Sequence, residues 1–221
     1  MTHTLTAPKL LVSALAFASI SFAVDPHQAT PPGQQSSNLQ IVNNCRAHRV
    51  RVDQEADWRS YAVLHFMPAV YEPANPQHIL KPQQVRRMTA ALDTDLSRAF
   101  RDGGQSEGAR LDIRPFITDV KKSNPLLNVI SFAAIKTAVS YGSSSVRYEL
   151  IDDATGRLVG EVEKRGNARP WNIYPWQILS NFEPLGHSYI MLNRDAKALR
   201  KDVRKLQVPG QQSSLMASAA H

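Results

Sequence analysis

Asp119, Asn124 and Asn128 are the residues in this chain whose types best suit chemistry. They crowd the exit of an apolar stretch, and loops at strand ends are where function concentrates. An aspartate can act as general base if its surroundings raise its pKa and a partner supplies the acid. No histidine or second carboxylate is tied to Asp119 by a recognisable spacing. Asx residues near a proline, here Pro125, also close turns by bonding their own backbone. A turn-forming role therefore stands beside a hydrolytic one. His27, His48, His65, His78 and His187 form no i, i+4 pair and have no cysteine companion, so the sequence offers no metal motif and implies no cofactor. His65 sits in an apolar run and is expected in the core. Tyr141-Gly142-Ser143-Ser144-Ser145 lacks the lysine and the following helix of a phosphate loop. Cys45 is the single cysteine, so no internal disulfide can form, and an incidental thiol is expected.

Other residues suggest contact rather than catalysis. Arg169, Trp171, Tyr174 and Trp176 lie in a proline-stiffened segment and are types enriched at binding hot spots, with burial of the rings against the sheet as the other reading. Residues 187–206 carry six cations against Asp195 and Asp202, and Lys197, Lys201 and Arg204 share one face. Such a face is either plain solvated surface or a contact for anionic partners. Leu126 to Tyr141 is strongly apolar. It is read either as core packing or as an exposed surface for a partner or a bilayer interface.

The elements that position these residues follow from periodicity. Tyr61–Tyr71 reads as a buried strand. A helix follows from Pro82, with Val85, Met88, Leu92, Leu96 and Ala99 on one stripe, and Gly103-Gly104 ends it. Leu111–Val120 is a second strand, with a bulge or an edge expected at Pro115 because proline cannot donate to a ladder. Ser144–Asp152 and Leu158–Glu163 form a hairpin through Asp153-Ala154-Thr155-Gly156. A last helix, His187–Leu206, buries Leu192, Ala196, Leu199, Val203 and Leu206. The order β-α-β-β-β-α predicts an α/β two-layer sandwich, a small mixed sheet with helices packed mainly on one face.

The ends read differently. Lys9 precedes an uncharged apolar run, Leu10–Ala23, with small residues at its exit, which is the pattern of a secretory signal peptide cleaved after Ala23. The run is too short to span a bilayer. Residues 1–23 are thus a signal peptide, 24–58 a flexible leader, 59–206 one α/β domain and 207–221 a disordered tail. Removing the signal takes one lysine and no acid, lowering the net charge from +7 to +6. A periplasmic location turns the basic helix away from nucleic acid and toward envelope anions.

The run Thr118-Asp119-Val120…Asn124-Pro125-Leu126-Leu127-Asn128, the strand Val146–Asp152 and the hairpin Thr155–Val159 resemble the domain of unknown function 3313 family over roughly residues 60–206. The resemblance implies an exported bacterial envelope protein and no known activity. Members are often lipoproteins, whereas this chain has no lipobox cysteine after its signal. The expected function is a non-enzymatic accessory or binding module contacting an envelope protein, anionic lipid or glycan. The alternative is a hydrolase-like enzyme using Asp119.

Overall fold

The computed structural model describes residues 39–45, 47–101, 107–135, 140–167 and 183–208. Seven strands among them form one mixed sheet in the order β1-β2-β7-β6-β5-β3, with β4 pairing β5 beyond β3. The strands are β1 (Leu39–Cys45), β2 (His48–Asp53), β3 (Tyr61–Phe66), β4 (Val70–Tyr71), β5 (Ala109–Lys121), β6 (Ser143–Asp152) and β7 (Leu158–Asn167). The helices are α1 (Pro82–Ala99), α2 (Pro125–Ile135) and α3 (Gly186–Gln207). Only β3 and β4 run parallel to β5; every other pairing is antiparallel.

Alternation decides which side of each strand is buried. Val50 and Val52 of β2, Val146, Tyr148 and Leu150 of β6, and Leu111, Ile113 and Ile117 of β5 point into one core. Helix α1 packs against α3 above this face, burying Met88, Leu92, Leu96 and Ala99 as its spacing predicts. Helix α3 lies over β6 and β7 and buries Leu192, Ala196, Leu199, Val203 and Leu206. This is the α/β sandwich with helices on one face. Gly156, at φ +66°, takes the left-handed position in the β6–β7 turn, and the Asp152 carboxylate accepts from the Ala154 and Thr155 amides.

Several expectations need correction. The leader predicted over 24–58 contains β1 and β2, so the sheet begins well before residue 59. The expected β-α-β-β-β-α order gains these two strands at its front. Strand β1 is an edge with little apolar content, which hid its period. The strand predicted at Tyr61–Tyr71 is divided into β3 and β4. His65 is exposed, not core, because it faces solvent from β3 and pairs with Asp112 at 3.0 Å. The β5 bulge falls between Ile117 and Asp119 rather than at Pro115. Ile113 and Ile117 turn their carbonyls toward the β3–β4 side, accepting from Met67 and Glu72, so Pro115 shares that direction. Its missing N–H therefore meets the gap where β3 has ended and β4 has not begun. Gly103-Gly104, the tail from residue 209 and the predicted signal lie outside the described residues.

Candidate functional site

Two surfaces stand out, one apolar and one polar. The first is α2. Its start is fixed by Asn124, whose side chain accepts from the Leu127 amide at 3.2 Å while its own amide donates to Ser140 Oγ at 2.7 Å. Asn128 is fully buried and grips the Ser140 backbone from both sides, Nδ2 donating to its carbonyl and Oδ1 accepting from its amide, each at 2.8 Å. Ser123 ties the preceding loop to Glu183 and Pro184. Polar bonds thus hold the inward side of the helix.

The outward side is apolar. Leu126 is 68% exposed, Ile130 58%, and Leu127 and Val129 49% each. At about 100° per residue these four, with the exposed Ala133 and Ala134, fall within an arc of about 160°, and Asn128 lies opposite. Only Asn128 and Ser131 among the eleven residues of α2 are polar, so the helix is apolar nearly all round and its outward arc is not covered. Core packing, one of the two readings of this segment, is therefore excluded for these residues.

The second surface is the sheet face away from α1 and α3. Here the alternate positions carry charges in cross-strand register. Arg51 of β2 pairs with Glu161 of β7, and Arg49 reaches Glu163 at 3.7 Å. Arg147 of β6 contacts Glu72 at 2.9 Å and Glu149 at 3.6 Å, with its guanidinium 4.9 Å from the centre of the Phe116 ring. Arg165 reaches Glu163 at 2.8 Å. Burial pushes the Glu149 carboxyl up; Arg147 draws it back, and its register partner Glu161 adds to the rise.

Asp119 joins this face because of the β5 bulge. Inward positions run 111, 113, 115 and 117, so an unbroken strand would turn Asp119 into the core. The extra residue Thr118 shifts the parity, placing Val120 inside and Asp119 outside. Its Oδ1 lies 2.6 Å from His78 Nδ1, and Asn75 approaches the same nitrogen at 3.4 Å. His78 is positioned by the single 3-10 turn Pro76–His78, which Asn75 caps. This partner of Asp119 was not visible in the sequence. Asp119 is not joined to Asn124 and Asn128 by any bond among the described residues; those two serve α2. No hydroxyl or thiol among the described residues hydrogen-bonds to His78 Nε2, and no group of three metal-ligating side chains occurs among them.

Between these charges lies a cleft of about 380 Å³, floored by β2, β5, β6 and β7 and walled by Ala74 and Asn75. A smaller hollow of about 180 Å³ shares Glu163 and Arg165 with it and continues over Arg49 to Asn44 and Cys45 of β1. Cys45 is exposed there as a free thiol. Of the predicted contact residues, Lys197, Lys201 and Arg204 are exposed on α3 and form no ion pair with any described residue. Arg169, Trp171, Tyr174 and Trp176 lie outside the described residues.

No helix among the described residues is long and apolar enough to cross a membrane. No curated protein matches the chain. Among solved structures it is similar to a PelC dodecamer from Paraburkholderia phytofirmans, at 10% identity over 66% of this chain and 94% of that one, TM-score 0.38. It is similar to protein XCC0632 from Xanthomonas campestris, of family DUF330, at 14% identity over 73% and 92%, TM-score 0.41. A putative neuraminyllactose-binding hemagglutinin homolog from Helicobacter pylori matches at 9% identity over 75% and 92%, TM-score 0.34. The family model described as Protein of unknown function (DUF3313) matches residues 35–184, which takes in all seven strands, α1 and α2, and the chain belongs to that family.

Proposed function

We propose that this chain is an exported, non-enzymatic accessory module of the bacterial envelope that seats itself on an anionic bilayer surface through α2. The exposed apolar face of α2 carries the reading: a buried asparagine holds the helix while Leu126, Leu127, Val129 and Ile130 face outward. Charge supports lipid as the occupant. Between Asp119 and Arg147 the chain has no acid, while Lys121, Lys122 and Lys136 supply three cations. Lys121 and Lys122 are exposed just before α2. An apolar face beside exposed lysines suits acyl chains and anionic head groups together. At 11 residues α2 is about 16 Å long, too short to cross a core of about 30 Å but suited to lying in its surface.

The apolar run Leu10–Ala23 supports export with cleavage after Ala23. The basic stripe Lys197, Lys201 and Arg204 gives further cations to the same kind of surface. Co-sedimentation of the purified protein with phosphatidylglycerol-containing vesicles tests this. Binding that weakens with salt is expected; protein left in the supernatant at low salt refutes it.

A hydrolase-like reading draws on one observation, the 2.6 Å contact that orients His78 through Nδ1. An oriented histidine can act as a base. Asp119→Ala separates the two readings: vesicle binding stays unchanged under the first, whereas a hydrolytic activity lost with that carboxylate would establish the second.

A further inference from the structure

We infer that the open face of the sheet is a binding groove for a neutral, polyhydroxylated ligand, an oligosaccharide. Its shape comes first. The two hollows share Glu163 and Arg165 and together cross β5, β6, β7, β2 and β1. Four inter-strand spacings make a track of about 19 Å. The main cleft, about 380 Å³, falls within the ~300–1,000 Å³ of small-ligand sites. A track of that length on a rigid sheet fits an extended chain rather than a compact molecule.

Charge then selects the ligand. Arg51, Arg147 and Arg165 line the main cleft opposite Asp119, Glu161 and Glu163, so its formal charge is balanced. Each is already engaged with an opposite charge or, for Asp119, with His78. An anion would meet three carboxylates, and a cation three guanidinium groups. Either would have to break existing pairs to be held. A neutral hydroxyl-rich ligand breaks none, because each hydroxyl both donates and accepts. Guanidinium and carboxylate groups are planar forks that engage neighbouring hydroxyls two at a time, and Asn75, Thr118 and Ser145 add neutral partners. The cross-strand pairs also fix the rotamers in advance, which lowers the entropic cost of binding.

This inference is independent of α2, and the test keeps the two apart. The purified protein is labelled and applied to an array of neutral gluco-, manno- and N-acetylglucosamine oligomers with their sulfated and sialylated counterparts. Neutral oligomers should bind. Ser145→Trp, which fills the cleft, should lower that signal at least about tenfold while vesicle binding and melting temperature stay as in wild type. Arg147→Ala, which empties the centre of the lattice without adding bulk, should do the same and keeps the test decisive if the tryptophan variant does not fold. The inference is overturned if no neutral oligomer binds, if acidic oligomers bind better, or if a folded variant binds as wild type does.

Discussion

Leu126→Ala with Ile130→Ala is the sharpest perturbation of the proposed membrane contact. Alanine keeps the helix, having the highest helix propensity, and removes most of the apolar bulk. The exposed fractions of Leu126, Leu127, Val129 and Ile130 amount to about two whole side chains, or about 3–7 kcal/mol of transfer free energy if all enter the acyl region. The two substituted residues hold more than half of that. Their loss should weaken partitioning by about 2–3 kcal/mol, a factor of roughly 30–150. Both side chains are exposed, so unfolding free energy should change by no more than about 0.5 kcal/mol. The assay is vesicle co-sedimentation across a lipid titration, with urea unfolding as control. Unchanged partitioning would refute the reasoning about the ligand. A drop in stability of several kcal/mol would refute the reasoning about the helix, since it would mean these side chains are buried.

Two buried acids give further tests. Burial pushes the Asp195 carboxyl from 3.8 up to about 7, against the opposing pull of Lys164 and Arg194. The native state then holds an extra proton between those values, so this group makes stability fall as pH rises from about 4 to 7, after which its effect is constant. Asp195→Asn should therefore gain on wild type by up to about 4 kcal/mol between pH 4 and pH 8 in urea titrations; an equal difference at both pH values contradicts this. Asp202 behaves oppositely. Burial pushes its carboxyl up, but His48 at 3.1 Å and Lys164 at 2.6 Å outweigh it and hold the group below the usual value. Its stabilisation is present above its unfolded pKa and is lost as pH falls through the lower folded one. Asp202→Ala should cost about 3–5 kcal/mol at pH 7 by leaving Lys164 buried without its nearest partner, a loss read from the urea midpoint and absent if the pair is idle.

The helical half of the fold was legible because α1 and α3 each bury one stripe at three- and four-residue spacing. The β6–β7 hairpin was legible from its alternation and from Gly156. Strand β1 was not. It buries Val42 and Asn43 and little else, so an edge strand with polar neighbours looks like a leader. Strand β2 carried a usable signal, Arg49-Val50-Arg51-Val52, whose period of two places both arginines on one face. For α2, composition could indicate an apolar helix but not its direction. That depends on Asn128 meeting the Ser140 backbone, a bond between residues 12 apart that spacing does not encode.

The polar face shows most clearly why a site can be spelled out in residues and still not be read. Its charges alternate visibly in β2, β6 and β7, yet alternation alone does not say that the charged side stays uncovered. Asp119 is harder still. The parity of Leu111, Ile113, Pro115 and Ile117 assigns residue 119 to the core, where an unpaired carboxylate would be costly. The chain resolves the conflict by inserting Thr118 as a bulge, which delivers Val120 to the core and Asp119 to the cleft with one displaced residue. An aspartate at an inward-parity position is thus itself the sequence signal for the bulge. Once the strand is re-phased there, Asp119, Arg147 and Glu163 come to share one face. His78, 41 residues earlier, reaches it because β4 carries the chain along β5 to that point.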